Sequence, residues 1–331
     1  MTLIDSYGRK IDYLRISVTD HCNLMCGYCM PALAKQRHAN RSEILSFEEI
    51  LRLSSAAVAA GIKKIRITGG EPLIRKDIVK LCRMLASIDG LKELTLTTNG
   101  VRLKQFAEPL FRAGLQRVNI SLDTLNREKF KKITGRDRLL NVLAGIREAE
   151  KVGLAPIKIN TVVMRGVNDD EVSDLVDLSM RNPYQVRFIE MMPIDKNRRF
   201  SFRQMYIPTQ DIIQRIPDID QAHMVFPQKR SGPAKIFALP GAKGCIGFIA
   251  AVSQHFCRNC NRLRLTANGK LRTCLFAMGE TDFKLVLRKG AGKADLIDLF
   301  RKSILNKPQQ HGESASASDS LEHRGMYAIG G

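Results

Sequence analysis

No apolar run in the 331 residues approaches the roughly 18 needed to cross a bilayer, and no signal-like apolar stretch precedes Cys22. A membrane span and a secretory leader are therefore not expected, and the chain reads as soluble and cytoplasmic. Acids are scarce: 33 Asp plus Glu face 53 Lys plus Arg, a formal net charge of +20 within an ordinary charged fraction of 26%. The imbalance owes as much to missing acids as to added bases, so it is not by itself a nucleic-acid signature. It does call for an anion, whether nucleic acid, an acidic membrane surface or a polyanionic small substrate. With 44% apolar residues the chain is not globally disordered, and its length fits one large or two ordinary domains. Disulfides are not expected in a cytosolic chain, which leaves the eight cysteines as free thiols, catalytic groups or metal ligands.

The first two-thirds repeat a strand, a turn and an amphipathic helix. Strands are predicted at Tyr13 to Val18, Lys63 to Thr68, Leu94 to Thr98, Arg117 to Asp123, Ile157 to Val163 and Val186 to Glu190. Helices fall between them, such as Phe47 to Ala60, opened by Ser46 with Glu49 in capping-box spacing and closed by Gly61. Others run from Asp77 to about Ser87, Leu103 to Ala113 and Arg138 to Val152. This alternation means a parallel sheet with helical crossovers, either a full or partial barrel or an open doubly wound sheet. From Met191 the rhythm breaks into proline-bearing loops with a short helix near Asp211 to Ile216, then strands near Lys235 to Leu239 and Gly244 to Val252. A hairpin follows around Asn268-Gly269; a two-residue turn there sets Ala267 against Lys270 and Cys274 against Leu263. A helix at Ala294 to Leu305 precedes a Ser, Gly and Ala-rich tail ending Gly330-Gly331, which composition alone reads as a mobile end.

Two cysteine trios stand out. Cys22, Cys26 and Cys29 form C-x3-C-x2-C on a loop after a strand, and Cys257, Cys260 and Cys274 straddle the hairpin. Thiolates at this density suit iron or zinc, but structural zinc takes four ligands and neither trio has a suitably spaced fourth. His255 reads as a loop residue, Cys82 as core on an apolar helix face, and Cys245 as a small apolar core residue. Thr68-Gly69-Gly70-Glu71-Pro72 sits at a strand's carboxyl end, where barrel enzymes place their chemistry.

The first trio, with Tyr28 before its last cysteine, and the Gly69-Gly70-Glu71-Pro72 element resemble the radical S-adenosylmethionine enzymes. The resemblance implies a partial TIM-type barrel and a [4Fe-4S] cluster on Cys22, Cys26 and Cys29 whose free iron binds S-adenosylmethionine. The second trio, Asn259, Arg262, Arg264 and Gly330-Gly331 narrow the likeness to the GTP 3',8-cyclases of molybdenum cofactor biosynthesis, along the chain from Arg15 to Gly331. That implies a carboxyl-terminal extension with a second [4Fe-4S] cluster on Cys257, Cys260 and Cys274, its free iron against guanine. On this reading residues 1–190 form the barrel core, 191–305 the carboxyl-terminal domain and 306–331 a flexible tail. The implied reaction starts with a 5'-deoxyadenosyl radical that takes the C3' hydrogen of GTP, and it ends in 3',8-cyclo-7,8-dihydro-GTP. S-adenosylmethionine contacts are implied at Tyr28, Gly70, Ser121 and Met192. GTP contacts are implied at Arg15, Arg66, Thr97, Lys158, Arg187 and the Arg262, Leu263, Arg264 segment, and catalytic roles at Arg15, Arg262, Arg264, Gly330 and Gly331. Implied partners are an electron donor such as flavodoxin or ferredoxin, a downstream cyclic pyranopterin monophosphate synthase and a second copy in a homodimer, with neither nucleic acid nor membrane.

The charge distribution supports a substrate of this kind. Arg15, Arg66, Lys158 and Arg187 each sit between apolar neighbours in a strand, and period two sends them to the face opposite those neighbours. If helices cover the apolar face, the bases line the lumen, where unpaired charge is costly without a multivalent anion. Arg262 and Arg264, on one face of the hairpin strand, add forked donors for phosphate. A peptide-modifying radical enzyme would leave these bases unpaired. A zinc-bearing nucleic-acid-binding protein is the alternative outside enzymes; it would be colourless rather than brown.

Overall fold

The structure is a computed structural model and describes residues 2–30, 40, 42–194, 200–226, 232–276, 279–310 and 325–330. Its strands are β1 (Leu3–Ile4), β2 (Lys10–Ile11), β3 (Tyr13–Ser17), β4 (Lys64–Thr68), β5 (Glu93–Thr98), β6 (Arg117–Ser121), β7 (Lys158–Val163), β8 (Gln185–Glu190), β9 (His223–Val225), β10 (Lys235–Ala238), β11 (Cys245–Ile249), β12 (Arg262–Leu265), β13 (Lys270–Arg272) and β14 (Thr281–Asp282). All but β1 and β2 join one sheet, ordered β14-β13-β12-β3-β4-β5-β6-β7-β8-β11-β10-β9. The six predicted strands form its centre, and β12 and β11 extend it in parallel on either side. Antiparallel β13 and β10 follow on the two flanks, and the end strands β14 and β9 do not pair with each other, so the barrel is partial and does not close. Sequence pattern did not anticipate that the carboxyl-terminal segment would supply both flanks. Each is a short strand whose partner is far along the chain.

Outward side chains of the central strands, including Leu14, Ile16, Ile65, Ile67, Leu96, Ile120 and Ile159, are fully buried against the helices. Burying each such side chain contributes roughly 1.5–3 kcal/mol, so this seam fixes the strand register. The helix Phe47–Ala60 carries the predicted reciprocal cap: Glu49 N–H donates to Ser46 Oγ, and Ser46 N–H donates to the Glu49 carboxylate. Cys82 is buried in this core, as expected. No helix among the described residues is long and apolar enough to cross a membrane.

Three expectations need correction. The hairpin pairs Arg264 with Arg272 and Leu265 with Leu271, so its loop holds three residues rather than two. Gly269 takes φ 79°, Thr266 N–H donates to the Lys270 carbonyl, and continuing this register sets Cys274 against Arg262 instead of Leu263. Cys245 is half-buried rather than core; it pairs with Gln185 in register, on the lumen side of β11 near Lys158 and Arg187. The described end of the tail is not a free strand of chain either. Met326–Ile329 forms a helical turn that docks in the barrel mouth, and Gly330 follows it at φ 75°. Residues 311–324 and Gly331, to which tail roles were also assigned, lie outside the described residues.

Candidate active site

A cavity of about 300 Å³ opens at the carboxyl ends of the parallel strands. Cys22, Cys26 and Cys29 line it on one side, and Cys257, Cys260 and Cys274 on the other. Trios separated by more than 200 positions thus meet in one chamber because β12 lies beside β3. Among the described residues no three His, Cys, Asp or Glu side chains converge on a single metal ion.

Glycine sets the approach at the first trio. A Cβ on Gly70 would lie 2.1 Å from the His21 carbonyl oxygen, so only glycine lets this loop pack on the cysteine loop. Gly70 N–H donates to the Thr19 carbonyl at 2.7 Å, and Glu71 N–H to that of His21 at 2.7 Å. The buried Glu71 carboxylate accepts from Leu73 N–H, Thr98 Oγ1 and Asn99 N–H. Asn99 is thereby held with its Nδ2 3.7 Å from Cys22 Sγ. Tyr28 Oη donates to Asp123 Oδ2 at 2.8 Å, while Val162 N–H donates to Asp123 Oδ1 at 2.9 Å. Burial outweighs these donors and raises the Asp123 carboxyl to about 6. Asp123, Asn99 and Glu71 were missed as site residues from sequence, although Glu71 lies within the quoted motif.

Between the trios the lumen is cationic. Arg15, Arg66, Arg187 and Arg264 are all at most 8% exposed and line the cavity, so none of them reaches out to solvent. Arg262 also lines it, its guanidinium 4.9 Å over the Phe256 ring. Lys158 is 4% exposed and points into the lumen, but lies beneath the cavity lining, near Arg187 and Arg117. Burial, then the Arg187 and Arg117 charges, depress its ammonium to about 6. Leu263 sends its side chain into the outer core at 0% exposure, so the two arginines alone represent that segment at the cavity. Thr97, Ser121, Gly70, Tyr28 and Met192 also line the cavity.

Period two, followed one residue pair toward the strand starts, would also have found Tyr13 and Lys64, which share faces with Arg15 and Arg66. Burial raises the Tyr13 hydroxyl, but Arg66, Arg15, Lys64 and Arg262 together overcome it and bring it down to about 7. At the floor Glu93 pairs with Arg117 and, at 3.0 Å, with Lys64. Asn119 turns its side-chain amide toward Arg66 and Arg187, where only its oxygen can accept from both guanidinium groups. Among the described residues, Thr97 Oγ1, Asn160 Oδ1 and Arg187 Nε are buried at this cavity with no hydrogen-bond partner. Buried polar atoms of this kind are normally completed by a ligand or an ordered water. Gly330 reaches the same cations: its carbonyl accepts from Arg15 Nε at 3.3 Å and from Arg264 Nη1.

Residues 16–179 match the family model of the Radical SAM superfamily, and residues 184–313 that of Molybdenum Cofactor Synthesis C. A GTP 3',8-cyclase of Thermodesulfovibrio yellowstonii is 46% identical over 99% of both chains, and one of Geobacter sulfurreducens is 46% identical over 100% of both. The chain belongs to the GTP 3',8-cyclase family. Streptococcus suis SuiB bound to S-adenosylmethionine superposes with a TM-score of 0.64 at 17% identity, covering 91% of this chain and 69% of that one, which shows the shared fold.

As a radical S-adenosylmethionine protein, this cyclase relative takes a [4Fe-4S] cluster and S-adenosylmethionine. The first trio fits them: three cavity-lining thiols leave one iron position for a ligand, beside the close-packed Gly70 loop. Burial, then the Glu71 carboxylate, push the Cys22 thiol up to about 11, so a bound cation is what makes it a thiolate at neutral pH.

Proposed function

We propose that the protein is a GTP 3',8-cyclase that converts GTP to 3',8-cyclo-7,8-dihydro-GTP, the first step of molybdenum cofactor biosynthesis. The observation that carries this reading is the single chamber with a cysteine trio at each side and buried cations between them. When bound at Cys22, Cys26 and Cys29, the cluster supplies the electron that splits S-adenosylmethionine and so generates the species that takes the ribose C3' hydrogen. The protein's share is position and exclusion of water. Tyr28, Gly70, Ser121 and Met192 hold S-adenosylmethionine, with Tyr28 anchored by Asp123. Arg15, Arg66, Arg187, Arg262 and Arg264 grip the triphosphate, and Thr97 completes its buried hydroxyl on the substrate. Lys158, whose ammonium burial and then the Arg187 and Arg117 charges depress to about 6 in the free protein, regains its proton when the triphosphate offsets those charges.

Cys257, Cys260 and Cys274 would hold a second [4Fe-4S] cluster, whose open iron would offer a ligand site to the guanine. Support comes from Cys260: burial raises its thiol, yet Lys307 and Arg262 overcome that and bring it to about 7, which favours the ligating thiolate. Arg15 and Arg264 also serve the reaction itself by holding Gly330, one of Arg15, Arg262 and Arg264 delivers the final proton beside the substrate, and Gly331 shares the catalytic role of the tail. A flavodoxin or ferredoxin supplies electrons, the chain pairs as a homodimer in the cytoplasm, and its product passes to a cyclic pyranopterin monophosphate synthase. Residues 1–190 act as the barrel core and 191–305 as the substrate-side domain.

The test is anaerobic reconstitution followed by reductant and S-adenosylmethionine, comparing deoxyadenosine release with GTP, ATP or no nucleotide. GTP-dependent release with the cyclised product is expected. Release indifferent to GTP would sink the assignment.

A further inference from the structure

The second cysteine trio is held from behind by two cations that lie outside the cavity lining. Arg9 is 8% exposed, and its Nη1 donates to the Cys257 carbonyl at 2.9 Å. The same guanidinium donates to the carbonyls of Pro308, at 2.7 Å, and Gln309, at 2.9 Å, while Asp5 takes its Nε at 2.6 Å. Lys307 is 2% exposed, and its Nζ donates to the Arg262 carbonyl at 3.0 Å and to the Thr273 carbonyl. Arg262 lies two residues after Cys260, and Thr273 immediately precedes Cys274. Each of the three ligand-bearing segments therefore has a backbone carbonyl bound by one of these cations. The chain joins the cations too, since Arg9 grips the residues that follow Lys307.

Burying an ammonium costs several kcal/mol unless it is well hydrogen-bonded and meets negative charge. Lys307 has two carbonyls, one from the segment after Cys260 and one from the residue before Cys274, and a cluster held by those segments would supply the negative charge. A cluster on three thiolates gains a further negative charge on reduction, and a fixed cation at its edge favours that reduced form.

We propose that Arg9 and Lys307 form a buried cationic clasp that holds the three cysteine segments in register, and that the Lys307 charge raises the reduction potential of the cluster they bind. Lys307 is thus a positioning residue. The inference rests on the second-cluster reading above.

The test uses the full chain with Cys22, Cys26 and Cys29 replaced by Ser, so that one cluster remains to titrate. Iron is counted and the potential is followed by electron paramagnetic resonance in an anaerobic redox titration. Lys307→Gln still donates to the carbonyls but carries no charge. It is expected to keep its iron while the reduced-to-oxidised ratio at fixed potential falls about tenfold, or 59 mV for one electron. Lys307→Met is expected to lose iron as well, and Lys307→Arg to retain both properties. An unchanged potential in Lys307→Gln overturns the charge assignment, and full iron in Lys307→Met overturns the clasp. If the parent with an intact second trio binds no cluster at all, the second-cluster reading fails instead, a distinct result.

Discussion

Gly330→Ala tests whether the docked tail is part of the site. Gly330 sits at φ 75°, a left-handed conformation that costs an L-residue with a side chain about 1–2 kcal/mol. A Cβ there would also lie 3.1 Å from Thr68 Cγ2 and 3.4 Å from Ser17 Cβ, both on strands of the barrel floor-to-mouth wall. Those strands cannot move without disturbing the Arg15 and Arg66 register, so relief comes from the tail lifting out. A penalty of about 1–2 kcal/mol shifts the docked-to-undocked ratio roughly 5- to 30-fold. Hydrogen exchange at residues 326–329 is expected to quicken by that factor, and protease is expected to cut the tail earlier. Turnover is expected to fall with it, because the Gly330 carbonyl that Arg15 and Arg264 share leaves the lumen. Unchanged exchange and unchanged turnover in Gly330→Ala would refute the claim that a tight left-handed glycine seats the tail.

Arg187→Met is expected to raise KM for GTP about 10- to 100-fold with little change for S-adenosylmethionine, since a charge-assisted hydrogen bond contributes about 1.5–3 kcal/mol. Exposed Arg112→Met is the control that should leave KM unaltered. Asp123→Asn addresses pH dependence. The folded carboxyl is raised by burial to about 6, above its ordinary 3.8, so the folded state holds its proton longer than the unfolded one and stability falls as pH rises through that window. Asn still accepts from Val162 N–H, so denaturant midpoints for the variant are expected to vary less than wild type between pH 4 and 6; parallel profiles would contradict this. Glu190 accepts from both groups of Thr209, both of Ser253, and Val252 N–H. Glu190→Leu strands the two buried Thr209 donors and is expected to lower stability by about 2–4 kcal/mol, read as a denaturant midpoint shift.

How much of this was legible in the sequence follows from the range of the interactions involved. The central strands and the capped helix Phe47–Ala60 are written in local period and capping residues, and they match. The hairpin register failed by one residue because Gly269 was read as half of a two-residue turn. Its neighbours Thr266 and Asn268, whose side chains hydrogen-bond each other, close a three-residue loop instead. The docking of β12 beside β3 and β11 beside β8 was not legible, since nothing local distinguishes a short strand at a sheet edge from one that extends a parallel core. The cysteines were legible as two trios, and their common chamber was not. Asp123 was missed because a lone carboxylate at a strand end carries no pattern; it becomes meaningful only opposite Tyr28.

The +20 charge seen in the sequence separates into two physical classes. Paired surface bases, such as Arg127 with Asp137 and Lys302 with Asp298, contribute little to stability and are screened by salt. The lumen bases differ, because Arg15, Arg66, Lys158, Arg187 and Arg264 are buried and repel one another, which weakens their hold on protons. Folding without an anion must carry that repulsion, offset in part by Tyr13, Glu93 and the Gly330 carbonyl. A ligand that removes it gains the relieved repulsion as binding free energy and raises the unfolding temperature by mass action. Nucleotides should therefore stabilise the protein in the order triphosphate, diphosphate, monophosphate, with cluster loading held constant. A monophosphate that stabilised as well as GTP would mean that the cations serve the fold rather than the polyphosphate.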